Sequence, residues 1–144
     1  MSKWTYRGAP LEEIPPKVVG FTYLIKHPAS GVYYYGSKKV QFKRTKKLSK
    51  KASEAAYSGR GRKPTKAVVY TESDWETYRS SSKELQKMIE EQGEDKFQFI
   101  VLDFWPSTQK LSLEETKLII CTGALEDPLS LNSWVSCRIR KSNL

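Results

Sequence analysis

A chain of 144 residues with a formal net charge of +9 has room for one domain with its own core, and its charge points to a polyanionic partner. No apolar run approaches the length of a membrane span, and the polar N-terminus, with Trp4 and Tyr6 among charges, does not look like a signal peptide. Cys121 and Cys137 lack metal-type spacing and are expected to be buried thiols in a reducing compartment, with a disulfide as the less favoured alternative.

In chain order, residues 1–16 are expected to be irregular or an edge segment, since Pro10, Pro15 and Pro16 oppose a regular element. Val18 to Lys26 has strand character. His27-Pro28-Ala29-Ser30-Gly31 makes a turn, and Val32 to Gly36 returns as a second strand of an antiparallel hairpin. A basic block follows. Twelve of the 25 basic residues lie between Lys38 and Lys66, with Glu54 as the only acid. Each phosphate such a block neutralises releases condensed counterions, so nucleic acid is the favoured partner. The candidate contacts are Lys38, Lys39, Lys43, Lys46, Lys47, Arg60, Arg62 and Lys63, with Phe42 and Tyr57 nearby. The plainer alternative is a solvated basic loop; an anionic membrane fits less well, because no amphipathic helical period is present. Within the block, Gln41 to Lys51 is expected as a short basic helix, and Ser58 to Pro64 as a loop that orders on a polyanion.

Ser81 and Glu84 form a capping-box pattern ahead of Leu85, Met88 and Ile89, so a helix is expected from Ser81 to Gly93. Phe97 to Phe104 is apolar on most of both sides, which predicts a central strand. Leu113 to Thr122 is expected as a second helix stopping near Gly123, and the tail with Leu131, Trp134, Val135 and Ile139 is expected to pack back on the domain. The fold class is α+β.

Across these elements runs an ordered set of residues. Tyr23 and Tyr34 are eleven apart, Gly36 follows two later, Arg44 lies eight beyond, and Glu115 sits on the last helix four residues before Ile119. The set resembles the GIY-YIG nuclease superfamily, with Phe21-Thr22-Tyr23, Tyr34-Tyr35-Gly36, Arg44 and Glu115 in its motif positions. The segment from Thr77 to Leu85, with Gly93 and Phe97-Gln98-Phe99, also looks like the helix and third strand of phage-type members. The resemblance covers roughly residues 18–135.

What the resemblance implies is a small three-stranded antiparallel sheet flanked by helices, in a single nuclease domain over 1–144 with a basic insertion at about 38–66. It implies a Mg²⁺-dependent (or Mn²⁺-dependent) endonuclease acting on DNA, of phage-type or homing-element origin, in the cytoplasm of a bacterial or phage-infected cell. Glu115 would hold the metal, Arg44 the scissile phosphate, Tyr23 the attacking water, and Tyr34 the phosphate or water. For Tyr23 to serve as base, its pKa must fall from an ordinary value of about 10. Phe21 stands where the family has glycine, Thr22 where it has isoleucine, and Leu48 where several members carry histidine.

Plainer readings stand beside these. The tyrosines suit any sheet; Glu115 closes a capping box with Ser112; Glu114 competes for the metal; and Arg44 is one charge among many. His27, the only histidine, is a turn residue or a base reaching across, and Asn132 is a turn residue or a neighbour of the metal site. A non-catalytic nucleic-acid-binding module with Tyr33 and Tyr35 as a stacking platform is the rival function, and a ribonuclease the third. No separate DNA-reading domain is evident, so specificity would come from loops, a homodimer or a partner.

Overall fold

The alternating apolar residues from Gly20 onward make the hairpin that carries the rest. The computed structural model describes residues 2–144, the side chains of Lys43 and Arg44 excepted. Strand β3 (Gly20–His27) pairs antiparallel with β4 (Val32–Lys39), from Gly20 opposite Lys39 to His27 opposite Val32. On its other side β3 pairs antiparallel with β7 (Gln98–Trp105), which is central as its two-sided apolar sequence requires. Two more strands extend the sheet. β1 (Trp4–Tyr6) runs parallel to β7, and β2 (Ala9–Pro10) closes the edge, giving the order β2-β1-β7-β3-β4.

The sheet thus has five strands rather than the three expected, and of the two expectations for residues 1–16 the edge segment is the one found. Trp4 is the cause. Its ring is fully buried, edge-on to Phe21, Tyr23 and Phe99 with centroids 5.2–5.3 Å away, and its Nε1 donates to the Trp75 carbonyl at 2.8 Å. A buried indole needs apolar neighbours and a partner for its N–H, and here it draws the N-terminus into the sheet. Pro10 is tolerated because it lies on the edge strand.

Phe21, Tyr23 and Ile25 join Trp4, Phe99 and Val101 in a core completed by Trp75 and by Leu85 and Ile89 of α2 (Lys83–Gln92). The cap of α2 is Ser82, whose side chain accepts from the Leu85 N–H, and not the expected Ser81; Gly93 ends the helix at φ 94°. α3 (Thr108–Cys121) packs against β3 and β4. It begins five residues earlier than expected, because Ser107 accepts from the Lys110 N–H. Ser112 therefore lies inside the helix, and Glu115 caps nothing. In the tail Leu131 packs on the core, but Trp134 is exposed. Cys121 and Cys137 are free and exposed, not buried.

Residues 41–73 form a second compact unit. β5 (Gln41–Lys47) pairs antiparallel with β6 (Lys66–Glu72), and between them α1 (Lys50–Ala56) is capped by Ser49. The expected basic helix from Gln41 is thus a strand over its first seven residues. The β-branched and aromatic run Val68-Val69-Tyr70-Thr71 supplies a pairing partner that overrides the weak helical preference of a lysine-rich segment. This unit carries ten basic residues against two acidic, and the rest of the chain fifteen against fourteen. Among the described residues no helix is long and apolar enough to cross a membrane.

Candidate active site

Tyr23 sits where β3 and β7 slip register: Thr22 faces Asp103, Tyr23 faces Val101, and Leu102 is left over as a bulge. Its side chain is fully buried, and its hydroxyl closes no hydrogen bond among the described residues. Across the hairpin it faces Gly36, where a Cβ would come within 2.4 Å of the Tyr23 oxygen, so only glycine leaves room for the phenol. The Tyr34 ring lies 6.2 Å from that of Tyr23 and the Tyr78 ring 6.0 Å, a cluster of three phenols. Tyr34 is half-buried, with its hydroxyl 3.2 Å from Ser81 Oγ.

The carboxylate arrives from the other face of the sheet. Leu111, Glu115 and Ile119 follow one another at four-residue spacing along the inward stripe of α3, and the two flanking residues are buried. Glu115 is the charged member of that stripe. Ser37, the next residue after Gly36, points to the opposite side of β4 and donates from Oγ to Glu115 Oε2 at 2.5 Å. Burial raises the Glu115 pKa, partly offset by the Ser37 hydrogen bond. Burial, with Tyr78, Tyr34 and Glu115 adding, holds the Tyr23 hydroxyl well above an ordinary phenol. Tyr34 is also raised, by burial first, with its bond to Ser81 opposing.

Tyr34, Ser37 and Glu115 line one cavity of about 720 Å³, together with Tyr78, Ser81 and the first residues of α2, Lys83 and Glu84. Asn132 lies on its wall, and its side-chain oxygen is fully committed. Oδ1 accepts from the Tyr35 N–H at 2.9 Å and from Ser130 Oγ at 3.2 Å, while Nδ2 donates to the Tyr35 carbonyl at 2.8 Å. With Tyr33 N–H to Leu129 O and Leu131 N–H to Tyr33 O, this side chain continues a parallel ladder along the free edge of β4. Asn132 clamps the hairpin and has no lone pair to spare for a cation.

Of the sequence candidates, Tyr34 and Glu115 line the same cavity, while Tyr23 lies fully buried behind Tyr34 and does not reach it. Arg44 falls on β5 in the second unit, opposite Val69, and its side chain lies outside the described residues, as does that of Lys43. Glu114 is excluded as a rival ligand: Lys110 and Lys117 bind it at 3.1 and 2.9 Å and, against the effect of burial, hold it below the usual carboxylate range. His27 is the last residue of β3, at the mouth of the hairpin turn rather than within it. Its Nδ1 lies 2.6 Å from Ser30 Oγ, its ring packs on Phe97, and four strand positions put it about 13 Å from Tyr23.

Among the proposed nucleic-acid contacts, Lys38 is engaged elsewhere, paired with Asp74 at 2.6 Å and seated over the Tyr78 ring at 4.1 Å. Lys39 is half-buried, whereas Lys46, Lys47, Arg60, Arg62 and Lys63 are exposed. Tyr33 and Tyr35 meet edge to face, and the Tyr33 hydroxyl donates to Asp127 at 2.6 Å, which pushes its pKa up to about 12. They present no flat platform. Sequence reasoning missed Ser37, Tyr78 and Glu84. Ser37 was detectable by strand alternation after Gly36; Tyr78 and Glu84 lie in the Thr77 to Leu85 segment, where the sequence signalled a helix start rather than a cavity wall.

Two hairpin tyrosines, a glycine that makes room for one of them, and an inward glutamate on a later helix define a nuclease domain of the class the sequence resembles. A family model described as "Putative endonuclease segE, GIY-YIG domain" matches residues 4–135, so the chain belongs to the GIY-YIG nuclease superfamily. The match begins at Trp4 and so takes in the N-terminal strands. Membership implies a nuclease, a hydrolase with DNA as its substrate class. No curated protein and no solved structure matches the chain.

Proposed function

We propose that this protein is an endonuclease that hydrolyses DNA phosphodiester bonds with Mg²⁺ or Mn²⁺ held on Glu115. The observation that carries the reading is the half-buried Glu115 carboxylate, on an otherwise apolar helix stripe, facing a cavity beside Tyr34 and Ser37. Among the described residues no cluster of three or more His, Cys, Asp or Glu forms a metal cage. The fit to a hard cation rests instead on the donor type: carboxylates of Glu115 and Glu84 and hydroxyls of Tyr34, Ser37 and Ser81, all oxygen. A carboxylate whose proton affinity is raised by burial is one short of a counter-charge. Such a cation, when bound with most of its waters, supplies phosphate neutralisation and a more acidic water.

The chain's own residues divide the remaining work. Ser37 orients Glu115 by holding Oε2. Tyr34 hydrogen-bonds the phosphate or the attacking water. Tyr23 stays neutral, since burial pushes its hydroxyl up rather than down, and it serves behind Tyr34 as part of the packed support of the site rather than as a base. Arg44 is the proposed phosphate clamp. Exposed Lys46, Lys47, Arg60, Arg62 and Lys63 hold the backbone, which positions DNA without reading its sequence. The site of action on this reading is the cytoplasm of a bacterial or phage-infected cell.

Incubating supercoiled plasmid with the protein in Mg²⁺ and in EDTA tests this. Nicking in Mg²⁺ that EDTA abolishes is expected, and Glu115→Ala or Arg44→Ala should remove it. Binding without metal-dependent nicking would leave a non-catalytic module; nicking that survives Glu115→Ala would sink the site.

A further inference from the structure

We propose that Trp134 is a stacking platform for an unpaired nucleobase beside the scissile phosphate, so that the DNA this site acts on has a base out of the duplex stack. The proposal rests on the nuclease reading. Of the four tryptophans, Trp4 and Trp75 are buried and the Trp105 Nε1 donates to Thr22, whereas Trp134 is 73% exposed while lining the cavity that holds Glu115. An indole offers a large, rigid π-face on which a base can stack. Nor is it carried on a loose tail. Two residues earlier Asn132 is tied by two hydrogen bonds to Tyr35, whose neighbour Tyr34 lines the same cavity. The cavity, at about 720 Å³, falls within the size range of pockets that enclose whole organic ligands, far beyond what a phosphate needs. A base inside a duplex hides both faces; one extruded beside the cleaved bond regains a stacking partner on Trp134.

The test is binding of a single-stranded oligonucleotide carrying 2-aminopurine, in a Glu115→Gln background so that no cleavage intervenes. Quenching on binding is expected. Trp134→Ala should remove the quenching and weaken binding about 5–150-fold, the range for losing one stacked base, and Trp134→Phe should restore most of both. Unchanged affinity in Trp134→Ala, or a Trp134→Leu variant as good as Trp134→Phe, overturns the proposal. Plasmid nicking separates the two readings. If nicking is intact but binding ignores Trp134, the platform falls and the nuclease stands. If nicking is absent but binding depends on Trp134, the platform stands and the nuclease falls.

Discussion

The two units of this chain differ in nearly every physical respect. The larger, residues 1–40 and 74–144, is close to charge-neutral, encloses the aromatic core and holds the candidate site. The smaller, residues 41–73, carries nearly all of the net charge, and its helix α1 buries nothing. Catalytic groups need fixed positions and shifted proton affinities, which require burial; phosphate contacts need exposed charge, which requires the opposite. Two such demands are met most easily in separate stretches of sequence.

The contrast makes sharp predictions. Replacing Lys46, Lys47, Arg60 and Arg62 by Gln should weaken DNA binding by roughly two orders of magnitude at physiological salt. It should also flatten the salt dependence by about 0.9 in log–log slope for each phosphate no longer neutralised. Filter binding over a salt series reads both, and an unchanged slope would detach the small unit from DNA. In the larger unit the expected effects are on folding. Gly36→Ala forces a Cβ into the Tyr23 hydroxyl and should cost about 1–3 kcal/mol, with cleavage falling as the phenol moves. Asn132→Ala unties the edge of β4 at a cost of about 1–2 kcal/mol. Urea denaturation measures both; neutral results would mean the hairpin tolerates slack around its site.

The smallest effect concerns pH. Burial raises the Glu115 pKa in the folded protein, so the folded state binds that proton more readily than the unfolded one. Its contribution favours folding fully below the unfolded value and is lost as pH rises through the folded one. Near neutral pH the ionised carboxylate opposes folding. Glu115→Gln should therefore raise the Tm by a few degrees near neutral pH and leave it nearly unchanged near pH ~4.

Much of the larger unit was legible in sequence because local and global signals agree there. The hairpin alternates, β7 is apolar on both sides, and Glu115 interrupts a four-residue apolar stripe. What was not legible depended on partners distant in sequence. β1 exists because Trp4 finds Phe21, Tyr23 and Phe99, and β5 because Val68 to Thr71 pair with it. The starts of α2 and α3 each have a competing serine in the sequence, Ser81 beside the true cap Ser82 and Ser112 beyond the true cap Ser107. The chemistry of Tyr23 also escaped the sequence, which names a phenol but not its burial.

The central claim is that Glu115 performs chemistry rather than grip. Single-turnover cleavage of supercoiled plasmid in Mg²⁺, with protein saturating and bound DNA measured in the same samples, tests it most directly. Glu115→Gln should lower the cleavage rate by about 10²–10³-fold, while the bound fraction and its salt dependence stay at wild-type values. Cleavage by Glu115→Gln at the wild-type rate would contradict the account.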